Sequence, residues 1–252
     1  MKKILNILLI GLALSVDSSA SNRGDVKIIE ATENIRYLAQ KISKSYLYLY
    51  QNPKKTALKE SLYQDIRMLE ISIRDIATTT KSLDSKNILD FLVYNKDEIK
   101  EILKKEVNRE KSMLMLDYSE SFLEGANSIE KTHSYPFSKE EEMLMSIKNI
   151  GYLLEKVAKY YIASALNLDQ TNNFNHMKQA INKIEAILKK INIYEYPKEL
   201  LIERKRLNSA WKTHREFLYR SEELSIPHLL QSSTTALEDR IEKIALYHKK
   251  NQ

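Results

Sequence analysis

This chain contains no cysteine. Disulfide staples, thiolate metal sites and cysteine nucleophiles are excluded, so packing and charge alone must hold the fold. Glycine and proline are scarce, at 4 residues each in 252. Hairpins and sheets consume those residues in their turns, so the scarcity favours long helices with few connections. No Gly-rich phosphate loop, nucleophile elbow or H-E-x-x-H helix occurs. A di-metal bundle site needs two Glu-x-x-His pairs, and only Glu130 with His133 has that spacing, at a linker. His176, His214, His228 and His248 lack the spacing of zinc ligands. The expectation is a protein that is not an enzyme and holds neither metal nor cofactor. Beyond residues 1–20, no apolar run reaches the 18 or so residues that a membrane helix needs.

What is present points to helices. Leu, Ile, Lys, Glu and Ala dominate a chain that is 43% hydrophobic. The fold class expected is all-α. Residues 1–20 carry Lys2 and Lys3, then an apolar run from Ile4 to Val16, then the small residues Ser18-Ser19-Ala20. That is the layout of a secretory signal peptide, with cleavage expected before Ser21 and an uncleaved anchor as the alternative. The expected location is exported, in the periplasm. Net charge is +6, but Lys and Arg alternate with Glu or cluster at helix ends, where cations complement the helix dipole. Nucleic acid is not an expected partner.

The first helix is written twice, at an offset of 115 residues. Asn34-Ile35-Arg36-Tyr37-Leu38-Ala39-Gln40-Lys41-Ile42-Ser43-Lys44-Ser45-Tyr46 returns as Asn149-Ile150-Gly151-Tyr152-Leu153-Leu154-Glu155-Lys156-Val157-Ala158-Lys159-Tyr160-Tyr161. Ile66, Leu69, Ile73 and Ile76 find apolar partners in Ile181, Ile184, Leu188 and Ile191. A fixed long period means one structural unit used twice. Apolar stripes predict helices over about 26–51 and 55–77, then around Ile88–Leu103 and Met113–Ile129. The linker is Thr132 to Ser138, where Pro136 breaks the helix and Ser138 with Glu141 forms a capping box. The second unit repeats the plan over about 139–166, 175–193 and 197–221, with Asp169–Asn173 as a turn and Ser225-Ile226-Pro227 opening the last helix. The organisation expected is a signal peptide (1–20) and two tandem antiparallel four-helix bundles (21–133 and 138–252), either separate or joined into one long rod.

The repeated segment resembles the N-terminal domain of type IV pilus methyl-accepting chemotaxis transducers, the PilJ-type domain, and the related periplasmic sensor bundle of NarX-type nitrate/nitrite kinases. Both copies fit the family's opening helix, from Arg36 to Tyr46 and from Gly151 to Tyr161. The family glycine is replaced by Glu33 and Lys148, and the family arginine is kept as Arg36 but becomes Gly151 in the second copy. The resemblance implies a sensor in signal transduction that binds a small, nitrate- or nitrite-like anion. It makes Arg36 the ligand-binding candidate, with Gln40 and Lys41 beside it. A guanidinium suits a planar oxyanion through its forked donors and permanent charge. The plainer reading of Arg36 is an ion pair to a neighbouring helix.

Lys41, Lys44, Lys156 and Lys159 lie one turn apart beside Tyr46 and Tyr161. They are expected at the solvated edge of the helix seam, with tyrosines as amphipathic covers. Tyr46, Tyr48 and Tyr50 cannot share one helix face, so some are expected exposed or at an interface, a homodimer included. The function expected is an exported, non-catalytic sensor or ligand-binding module that acts through a membrane-bound receptor or envelope protein. The alternative is a structural or adaptor protein of the cell envelope, pilus-associated, that has lost its ligand.

Overall fold

The computed structural model describes the backbone of residues 2–219 and 227–251, and the side chains from residue 23 onward except 170, 227 and 228. Among the described residues the regular structure is entirely helical. The helices are α1 (Lys2–Gln51), α2 (Thr56–Thr79), α3 (Leu83–Leu103), α4 (Arg109–Thr132), α5 (Lys139–Ala165), α6 (Gln170–Ile193), α7 (Lys198–Tyr219) and α8 (Pro227–Lys250). The side chains of the expected signal peptide lie outside the described residues, as do Ser225, Ile226 and the expected last residues of the seventh helix.

Local chemistry places most helix ends. Pro53 cannot continue α1, which stops at Gln51. The Ser82 hydroxyl accepts from the Ser85 N–H to start α3, and Asn108 does the same for Lys111 at α4. The capping box at Ser138 and Glu141 forms as expected. Pro227 takes the first position of α8, where its missing N–H costs nothing. One turn differs from expectation. Residues Gln170–Asn173 are already helical, because Asn167 and Asp169 adopt left-handed backbone (φ 56° and 48°) and complete the reversal earlier. Asn and Asp tolerate that conformation better than other side chains. Asn172 then ties back to the Asp169 carboxylate at 2.7 Å.

Contacts close two rings of helices. In one, α1 meets α2 and α4, and α3 meets α2 and α4. In the other, α5 meets α6 and α8, and α7 meets α6 and α8. Neighbours within each ring run antiparallel: Lys41 meets Asp65, Gln40 meets Ser119, and Arg215 meets Glu185. The repeat holds at the level of burial. Ile35 and Ile150, Ile66 and Ile181, Leu69 and Ile184, Ile73 and Leu188, and Ile76 and Ile191 are all buried. Each such side chain contributes roughly 1.5–3 kcal/mol relative to an exposed one. Gly125 on α4 lets α3 come close, since a Cβ there would lie 2.9 Å from Leu92.

The rings are joined by α1 against α5. Glu30 pairs with Lys148, Tyr37 lies over Gly151 and Lys44 pairs with Glu155, so these two helices run parallel. The repeat copies therefore lie side by side, and the rod arrangement is ruled out by these contacts. Being flanked on both sides, α1 is buried almost all round between residues 28 and 49, its polar side chains Glu33, Arg36, Gln40 and Lys44 included. Tyr46 enters the core made with α2–α4, while Leu47 and Tyr48 enter the core made with α5–α8. This answers the tyrosine question: Tyr46 and Tyr48 face different ways, and both are buried by the chain itself.

Candidate functional site

Arg36 faces α4 from the middle of α1. Its Nη1 and Nη2 donate to the carboxylates of Glu33 and Glu130, and its Nε donates to Asn127 Oδ1 at 2.8 Å. The site thus carries two acids for one guanidinium. Gln40, one turn on, is fully buried and donates to the Ser119 carbonyl at 3.2 Å, leaving its Oε1 without a partner. Lys41 points elsewhere, to Asp65 on α2 at 2.9 Å. The three candidates do not converge on one ligand position.

Arg36 and Glu33 do reach an open groove of about 350 Å³ between the two halves. Asn127 and Glu130 of α4 form one wall with them, Met145, Ser146 and Asn149 of α5 the other, with Phe137 and Tyr152 as aromatic surfaces. Neither Gln40 nor Lys41 lines it. Glu33 is buried, and its Oε2 has no hydrogen-bond partner. Burial pushes its carboxyl up to about 7; Arg36 opposes that shift and Glu130 adds to it.

Of the four lysines expected at a solvated edge, Lys44 and Lys159 are instead buried, while Lys41 and Lys156 stay partly exposed. Lys44 and Lys159 are buried because α1 and α5 cover one another and α4 and α8 reach across them. Lys44 meets Glu155 at 2.5 Å, a charge contact outside hydrogen-bond geometry. Lys159 donates to Glu120 at 2.6 Å and to Ser119 Oγ at 2.8 Å, and Lys156 reaches the same Glu120 at 2.9 Å. Burial alone would raise the Glu120 carboxyl, but the two ammonium groups outweigh it and hold it near 2. Burial pushes Lys159 down to about 8 despite that partner. Glu238 of α8 is pushed up to about 8, first by burial and then by the like charge of Glu155.

A second polar motif was missed from the sequence. His133, at the end of α4, holds Asp25 of α1 through Nδ1 at 2.9 Å. His248, at the end of α8, holds Glu140 of α5 through Nδ1 at 2.6 Å. Asp25 and Glu140, like His133 and His248, are 115 residues apart. Extending the repeat frame to the helix ends would have found the pair. The far nitrogen differs: His133 Nε2 meets Thr80 and Ser85, whereas His248 Nε2 meets the Tyr196 hydroxyl. These clamps fasten the first helix of each copy to its fourth. Glu130, which shares the sequence spacing of a metal site with His133, turns away to Arg36.

Among the described residues no group of three or more His, Asp or Glu is placed to hold a metal ion, and no helix is long and apolar enough to cross a membrane. No family model, curated protein or solved structure matches the chain.

Proposed function

We propose that this chain is an exported, non-catalytic binding module of the sensor type, similar to PilJ-type and NarX-type periplasmic domains. It takes a small ligand between its two halves and hands occupancy to a membrane-bound partner in the envelope. Residues 21–133 and 138–252 are read as two antiparallel four-helix bundles placed side by side, with residues 1–20 as the export signal. The ring contacts and the 115-residue equivalence of buried positions support the two-bundle reading. The export reading is supported by the sequence of residues 1–20: Lys2 and Lys3, an apolar run, then small residues before Ser21.

The observation that carries the binding reading is the groove of about 350 Å³ at the level of Arg36, walled by both halves. Its size is that of a small-ligand site. An occupant touching α1, α4 and α5 together would bias how the halves pack, and small shifts between packed helices are a usual currency of signalling.

A second reading, the structural or adaptor protein, is favoured by a specific observation. The donors of Arg36 are already engaged by Glu33, Glu130 and Asn127, and Gly151 has no side chain at the equivalent place. Thermal melting with nitrate, nitrite, other small anions and small amines separates the two. A ligand that binds only the native state must raise the melting temperature by mass action. The binding module predicts a rise with one of these classes. No rise with any of them, at concentrations up to tens of millimolar, would favour the adaptor.

A further inference from the structure

We propose that the groove between the two halves is a site for a small organic cation, an ammonium group on a compact carbon skeleton, and not for an anion. The inference rests on the binding-module reading and names the chemistry of its ligand.

Charge decides the class. Glu33, Glu130 and Glu142 line the groove against Arg36 and Lys183. Arg36 is no free cation, since it is spent between two carboxylates. Each of those carboxylates gives Arg36 only one oxygen. Glu33 Oε2 is buried and lacks a hydrogen-bond partner. An unpaired carboxylate oxygen in a buried position costs free energy, and an arriving N⁺–H donor would recover it. An arriving anion would instead meet Glu33 and Glu130 on either side of Arg36 and would have to break the Arg36 pairs. Lys183 stands exposed at the rim. Tyr152 and Phe137 add aromatic surface, which attracts cations and covers the carbon part of such a ligand.

The same geometry makes binding depend on pH. The charged and titratable groups that face Glu33 are Arg36 on α1, Glu130 on α4, and Lys148 and Tyr152 on α5. Burial pushes the Glu33 carboxyl up to about 7. A cation that requires the ionised form loses affinity below that value, by about tenfold between pH 8 and pH 6.

The test is isothermal titration calorimetry on the full chain with choline and putrescine as probes, and with sodium nitrate in parallel. Saturable binding of at least one amine is expected at pH 8, weaker by about tenfold at pH 6. Glu33→Gln should weaken it at least tenfold and flatten its pH dependence. Asn149→Trp, which leaves the Arg36 cluster intact and fills the groove from α5, should abolish it. Both variants are first checked for unchanged helix content by circular dichroism. Nitrate binding without amine binding would overturn the cation assignment and leave the binding module standing. Amine binding unaffected by both variants would overturn the site. Binding of neither class would overturn the assignment together with the module reading.

Discussion

Glu33 lies three residues before Arg36 on α1, buried in the wall of the groove. It is an acid whose folded-state pKa is raised, from the ordinary 4.5 to about 7. Its contribution to stability is therefore full below pH 4.5 and is lost as pH rises through about 7, a cost of about 3 kcal/mol at ~1.4 kcal/mol per tenfold. Glu120 is the opposite case: held near 2, it contributes stability above 4.5 that is lost only in acid. The two windows do not overlap, so they can be separated. Glu33→Gln should shrink the fall in unfolding free energy between pH 5 and pH 8 by about 2–3 kcal/mol, as read from urea melts. An unchanged fall would show that another buried acid titrates there. The sequence marked Arg36 as either an anion ligand or an ion-pair partner. It did not show which, because Glu130 lies 94 residues away in the chain and only the antiparallel packing of α1 and α4 brings it near.

Helix positions were largely legible. The apolar stripes, Pro53, the Ser138–Glu141 capping box and Pro227 each act through local chemistry, and the helices begin and end near them. The late start expected for α6 failed because Asn167 and Asp169 took left-handed backbone, which composition alone does not announce. The polar face of α1 was misread for a different reason. Lysines spaced one turn apart read as a solvated edge, but a second helix with matching acids covers them. The Lys44–Glu155 pair is the clearest case, with exposure of 7% and 1%. Removing one partner of such a pair strands the other charge in the interior. Glu155→Leu is expected to cost about 3–5 kcal/mol, and adding Lys44→Met should restore most of it. Chemical denaturation of the two single variants and the double variant gives the coupling energy directly. A cost below about 1 kcal/mol for Glu155→Leu would mean that Lys44 is not stranded, because water reaches it or the nearby Glu238 ionises and takes it over.

At the scale of the whole molecule, the 115-residue repeat made the equivalence of the halves legible but not their placement. The same sequence period suits a rod, two separate bundles or two bundles laid side by side. Side-by-side packing is decided by Leu47, Tyr48, Lys44 and Glu155, which look ordinary in the sequence and become informative only once α1 and α5 are parallel neighbours. The histidine clamps belong to this scale too. They fix the ends of each ring at the same height, with Asp25 and Glu140 as equivalent anchors. The pairing of α1 with α5 also creates the groove, so a ligand between the halves requires it.

The chain's lack of cysteine allows that pairing to be measured without background. Glu30 and Lys148 meet across the α1–α5 contact, N to O at 3.5 Å, and both side chains are partly exposed. In the double variant Glu30→Cys/Lys148→Cys, a short bismaleimide should join the two positions within one chain. The product would be a monomer of altered mobility in denaturing electrophoresis, formed at low protein concentration and lost on prior unfolding in urea. Parallel, adjacent copies predict that product in high yield. Only unlinked chain, or only linked dimers, would contradict the side-by-side packing and the groove that depends on it.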